Sequence, residues 1–190
     1  GKDGKTGTND DVIILPNPKP EKAGTIGADG NVTVDKDATT VKIPGKTPGG
    51  ADSEREVTVP AGTVVKPDGT ITLPDDKDGT MKAPAGGTDQ EIPGGSQIDP
   101  DGTITYSYKI VLKNAEGTDL TAPSYYATKV MVKEGTQKDV QAAQLTSYTV
   151  TSTNPVSVTG GQPSKPDGKT VAERYTITFE YDSATKYSAR

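Results

Sequence analysis

The adjacent rings Tyr125-Tyr126 and the acidic run Asp75-Asp76-Lys77-Asp78-Gly79 are where this sequence concentrates groups that could do chemistry. Exposed tyrosines offer flat apolar faces with a polar tip, a combination suited to stacking on sugar rings. Tyr106 or Tyr187 could extend such a patch. The alternative is that these rings pack the edge of a domain or a junction with the segment before it. A small β domain needs its few rings for its core, which favours packing. The acidic run places three carboxylates beside a glycine but lacks the ligand spacing and distal glutamate of an EF-hand loop. It reads as a solvated turn, and Asn9-Asp10-Asp11 as a polar stretch before the first apolar run.

The rest of the composition narrows the chemistry further. The 190 residues include no Cys, His or Trp. That removes the Ser-His-Asp triad, the thiolate nucleophile, zinc fingers and the usual haem and iron–sulfur ligands. Paired carboxylates for glycoside hydrolysis need a cleft with the two groups about 5–9 Å apart. Here Asp and Glu fall mostly in turns or on the wet faces of strands. No catalytic residue, metal-ligand set or cofactor is expected, and the chain reads as non-enzymatic.

Partners are limited by charge. With 21 basic and 26 acidic side chains the net charge is -5, and no two Lys or Arg residues are adjacent. Nucleic acid requires a basic footprint, so it is not an expected partner. The longest apolar run, Val12-Ile13-Ile14-Leu15, is far short of the ~20 residues that span a bilayer. No membrane insertion is expected of this segment. No signal peptide is visible, and the start Gly1-Lys2-Asp3-Gly4-Lys5 reads as that of an excised fragment. Zero Cys excludes a disulfide framework and suits either cytosolic proteins or Gram-positive surface proteins.

The elements that must position these groups differ between the two halves. All nine aromatic residues lie after position 105, whereas 17 of 22 Gly and 11 of 15 Pro lie before it. Rings bury the most area per residue, so the globular core is expected in the second half. The first half holds a repeat: residues 60–73 align without gaps onto 93–106, with eight of fourteen positions identical, and 26–34 form a weaker third copy. In each of the two stronger copies Pro-Asp-Gly is a turn, followed by Thr-Ile-Thr alternating as a short strand. Frequent Pro forbids long central strands. Residues 1–23 read as a Pro/Gly-rich linker, in which Val12 to Leu15 could add one strand. Residues 24–104 read as an elongated spacer of short β-segments rather than a compact domain.

The second half has cleaner periodicity. Tyr106, Tyr108, Ile110 and Leu112 alternate with polar neighbours, as do Tyr175, Ile177, Phe179 and Tyr181; both are half-buried strands. Further strands are expected over 127–133 and 147–152. A short helix is expected over 137–145, with Thr136 as N-cap and Asp139 completing a near capping box. Asn114-Ala115-Glu116-Gly117 and Pro166-Asp167-Gly168 read as hairpin-type turns. The fold class is therefore mainly β: a ubiquitin-like β-grasp domain with one short helix over 105–185, preceded by the repeats.

These residues resemble a MucBP (mucin-binding protein) repeat of Gram-positive surface proteins. The likeness runs from Tyr108-Lys109-Ile110-Val111-Leu112 through Asn114-Ala115-Glu116-Gly117 to Pro123. It continues with Val132-Lys133-Glu134-Gly135 and Tyr148-Thr149-Val150, and closes on the aromatic strand from Tyr175 to Tyr181. It covers about residues 105–183. Ser147 stands where that family usually has Gly, and the connection 157–172 is longer than usual. The Pro-Asp-Gly-Thr-Ile-Thr repeats are similar to segments of Firmicute cell-wall adhesins. The resemblance implies an extracellular, wall-anchored adhesin fragment, monomeric in a tandem array, binding mucin or host glycoproteins weakly and multivalently. A stalk that binds nothing is the alternative. Similar stalk domains carry Lys–Asn isopeptide bonds, for which Lys109 or Lys113 with Asn154 are candidates.

Overall fold

Asp followed by Gly sets the local geometry of the first half. The computed structural model describes residues 12–14, 24–46, 52–83 and 87–184. At Asp29-Gly30, Asp68-Gly69 and Asp101-Gly102 the glycine takes φ of +83°, +95° and +89°, a region that costs glycine nothing. In each turn the aspartate carboxylate accepts the backbone N–H two residues on, at 3.0, 2.9 and 2.9 Å, to Asn31, Thr70 and Thr103. The three copies therefore share one side-chain-closed turn.

The chain divides into two compact units, with the boundary between Tyr106 and Ser107. The first contains β1 (Val12–Ile14), β2 (Gly24–Ile26), β3 (Val32–Val34), β4 (Thr39–Lys46) and β5 (Asp52–Val59). It continues with β6 (Val64–Val65), β7 (Ile71–Thr72), β8 (Gly79–Met81), β9 (Gln90–Ile92), β10 (Gln97–Ile98) and the start of β11 (Ile104–Lys113). Each repeat copy is a hairpin: β2–β3, β6–β7 and β10–β11. The hairpins join edge to edge into an antiparallel sheet in the order β2-β3-β6-β7-β10-β11. The joints repeat as well. Val34 N–H donates to the Thr63 carbonyl at 2.8 Å, and Leu73 N–H to that of Ser96 at 3.0 Å. The intervening strands build a second sheet, β1-β4-β5-β8-β9, antiparallel except where β1 runs parallel to β4.

The repeat hairpins have strands as short as expected, but two expectations are corrected here: β4 and β5 run to eight residues each inside the second sheet, with Pro44 paired to Glu54, and the half has a compact core rather than being a spacer without one. Val32, Val65, Ile71 and Ile98 of one sheet and Val41, Ile43, Val57 and Met81 of the other are all at most 1% exposed. Leu73, next to β7, lies against Gly79 in β8, so the two sheets touch there. Aliphatic side chains at period two fill the space that rings fill elsewhere. Their burial contributes about 25 cal/mol per Å² of apolar area removed from water.

Asp37 ties the two sheets' connections: its carboxylate accepts the Ala61 N–H at 2.9 Å and lies 3.6 Å from the Lys77 ammonium. That hydrogen bond, and then the Lys77 charge, hold its pKa below the usual carboxylate value. A lowered folded pKa contributes stability that is present above the unfolded value near 3.8 and fades as pH falls through the folded one. The Ala61 amide proton shift is expected to titrate with a midpoint below 3.8 by NMR, and Asp37→Asn to abolish that titration.

The second unit contains the rest of β11, then β12 (Lys129–Lys133), β13 (Gln137–Val140), β14 (Tyr148–Val150), β15 (Val156–Thr159), α1 (Val171–Arg174) and β16 (Thr176–Ser183). Its main sheet has the order β14-β16-β11-β12, with β11 and β16 parallel and β16 antiparallel to β14. A separate antiparallel ribbon pairs β13 with β15. Tyr108, Ile110, Leu112, Tyr175, Ile177, Phe179 and Tyr181 are buried, in the alternation that the sequence sets up. Among the described residues the structure is mainly β, 44% strand and 3% helical.

The helix expected over 137–145 is corrected: its first four residues are β13, in register Gln137↔Thr159 to Val140↔Val156. A helix of that length is marginal alone, and only Val140 and Ala143 in it are buried, so pairing with β15 prevails. The Thr136 hydroxyl donates to the Lys133 carbonyl at 2.7 Å and caps nothing. The one helix among the described residues, α1, starts at the end of the stretch read as a long connection. Thr170 is its N-cap: its hydroxyl oxygen accepts the Glu173 N–H at 3.1 Å, while the Glu173 carboxylate accepts the Lys169 N–H at 2.8 Å. This Thr-x-x-Glu pattern was present in the sequence as a capping signal.

Candidate functional site

Two loops of the second unit enclose an open groove of about 430 Å³, lined by Leu120, Thr121, Ala122, Pro123 and Tyr125 on one side and Gln144, Leu145, Thr146 and Tyr148 on the other. The first loop starts where the turn at Asn114 ends. The Asn114 side chain accepts the Glu116 and Thr118 N–H groups at 3.1 and 2.9 Å, and Gly117 takes φ +79°. The chain then returns along β11, with Leu120 N–H donating to the Leu112 carbonyl at 2.7 Å. A second tight turn, Tyr126 N–H to the Pro123 carbonyl at 2.9 Å, presents Tyr125. The other wall hangs from β14. Tyr148 packs edge-to-face on buried Tyr181, with ring centroids 6.4 Å apart.

The two candidate tyrosines are separated by the fold. Tyr125 is 76% exposed and lines the groove; its hydroxyl reaches the Gln144 carbonyl only at 3.4 Å, too long to fix the ring. Tyr126 is half-buried and outside the lining. Its hydroxyl donates to the Gln141 carbonyl at 2.7 Å, so it ties the loop down. Burial, and then the neighbouring Tyr181, push its pKa up. Tyr106 is buried and cannot extend an exposed patch, and Tyr187 lies outside the described residues.

The lining holds two tyrosine rings, hydroxyls from Thr121 and Thr146, one amide from Gln144, and no Asp, Glu, Lys or Arg. Such a surface can stack and hydrogen-bond. No family model, curated protein or solved structure matches this chain. The site is therefore read from its own geometry.

The remaining sequence candidates resolve into structure. In the acidic run, the Asp78 carboxylate accepts the Gly94 N–H at 2.8 Å and Lys77 faces Asp37. Among the described residues no cluster of His, Cys, Asp or Glu is arranged to hold a metal ion. Lys113 and Asn154 have separate partners: the Lys113 ammonium sits 2.9 Å from the Asp119 carboxylate, and the Asn154 side chain accepts the Ala142 N–H at 2.9 Å. Among the described residues no helix is long and apolar enough to cross a membrane.

Sequence reasoning missed Gln144, Thr146 and Tyr148 as groove residues, because it placed the first on a helix and the last on a plain inward strand. Ser147 was a usable signal. It adopts φ +68°, a left-handed position that favours Gly, and so marks a sharp turn between the groove wall and β14.

Proposed function

We propose that this chain is a non-catalytic module of an extracellular, wall-anchored adhesin. In this reading its second unit, a MucBP-like β-grasp domain, binds neutral glycans of mucin or host glycoproteins weakly, and many tandem copies make the binding useful. The observation that carries the reading is Tyr125, a large ring left exposed beside a groove whose other groups are hydroxyls, an amide and a second ring. An uncharged lining favours neutral sugars over sialylated or sulfated ones. The strand order, with first and last strands as parallel central neighbours, supports the β-grasp assignment.

A multimerised chain on a glycan array tests this. Tyr125→Ala is expected to lower single-site affinity about tenfold, since an aromatic contact contributes ~0.5–1.5 kcal/mol beyond its buried area. The same change at so exposed a position should alter stability by less than about 0.5 kcal/mol. Silence of the multimer across neutral mucin glycans would discard the adhesin reading in favour of the structural stalk. The serially identical hairpin joints of the first unit support that second reading.

A further inference from the structure

The second unit begins at Ser107, in β11, and its last described strand, β16, ends at Ser183. These two strands are parallel neighbours, in register from Lys109↔Thr176 to Lys113↔Glu180. In a parallel pair, the start of one strand and the end of the other lie at opposite ends of the ladder. A pull along the chain through this unit enters at the start of β11 and leaves at the end of β16. It therefore slides one strand along the other. The ladder bonds run across the strands, so sliding loads all of them together. With an antiparallel pair the same pull would open the ladder from one end, bond by bond.

We propose that the second unit is a load-bearing module and that the parallel pair β11–β16 is its force clamp. The surroundings of the pair fit that role. Neither strand is at an edge: β12 flanks β11 and β14 flanks β16, so neither can peel away sideways. Ile110, Leu112, Ile177 and Phe179, all at most 7% exposed, keep water from replacing a strained bond. Both points of load are also tied to loops by buried tyrosines. Where β11 enters the second unit, the Tyr108 hydroxyl is 2.9 Å from the Thr159 carbonyl at the end of β15 and 2.7 Å from that of Gln162 in the loop beyond. Near the end of β16 the Tyr181 hydroxyl donates to the Ala143 carbonyl at 2.6 Å. The clamp stands on the strand pairing alone; that a pull reaches it in nature rests on the wall-anchored reading.

The chain has no cysteine, so introduced thiols are unique handles for single-molecule pulling on the full chain. Handles at Lys109→Cys and Ser183→Cys load the pair in shear. Handles at Lys113→Cys and Glu180→Cys, directly opposed in the register and kept reduced until attached, open the same ladder from one end. Forced unfolding is governed by the unfolding rate along the pulled coordinate, so the two geometries are expected to differ although the fold is the same. The shear pair should require several times the force of the other at equal pulling speed, with equal thermal midpoints for the two variants. Equal forces, or a lower force in shear, would overturn the clamp. Glycan binding by the same chain is read separately, so loss of either idea leaves the other measurable.

Discussion

Phe179→Ala is expected to destabilise the second unit by about 3–5 kcal/mol, the range for truncating a fully buried aromatic. Phe179 is the only phenylalanine, is 0% exposed, and pairs with Leu112 across the central parallel strands. Its removal opens a void where β11 and β16 meet, and neither strand can shift to fill it without breaking register. A domain of this size has only about 5–15 kcal/mol of total stability, so the loss is a large share. Phe179→Leu retains most of the volume and should cost less than about 1.5 kcal/mol. All eight tyrosines lie at or beyond position 106 and there is no tryptophan, so tyrosine fluorescence during urea unfolding reports mainly on this unit. A midpoint for Phe179→Ala no lower than that for Phe179→Leu would show that the core is not centred there.

Local rules made parts of this fold readable. The Asp-Gly turns and the alternations through Tyr108 and Phe179 depend on neighbours within a few residues, and they appear in the structure as the sequence implies. Partner choice was not readable. Nothing near Val64 shows that it pairs with Thr33, or that β4 and β5 belong to a second sheet rather than the repeat sheet. That long-range choice turned an expected serial spacer into two sheets with buried aliphatic side chains in one compact unit. Residues 137–140 failed for the same reason: the local capping signal at Thr136 competed with a partner strand about twenty residues away and lost.

The candidate site was half legible. Tyr125 and Tyr126 stood out as a pair of adjacent rings for which packing was favoured, and only Tyr126 is tied down in that way. Which ring stays outside depends on the Gln141 carbonyl that takes the Tyr126 hydroxyl, a contact across fifteen residues. The opposite wall was hidden by the mistaken helix. The uncharged character of the groove emerges only once both loops are brought together.

Gly160→Ala is expected to cost about 3 kcal/mol or more, because backbone rather than side chain occupies the space a methyl would need. A Cβ at Gly160 would overlap the Lys133 carbonyl oxygen and stand 2.6 Å from its carbon and 2.7 Å from the Val132 carbonyl oxygen. The crowding has a purpose. Gly160 forms a parallel bridge with Glu134, its N–H donates to the Thr136 carbonyl at 2.9 Å, and its own carbonyl accepts the Gly135 N–H at 3.1 Å. These bonds dock the end of β15 onto the segment between β12 and β13, and they set the position of the ribbon. Moving the backbone to admit a methyl would break them. Gly117→Ala is the control: a Cβ there meets nothing within 4 Å, so only its φ of +79° is strained, at about 1–2 kcal/mol. Thermal unfolding of both variants should rank Gly160→Ala clearly lower. Amide exchange at Gly135 and Gly160 should accelerate only in the Gly160 variant, if close backbone approach at this bridge is what holds the β13–β15 ribbon in place.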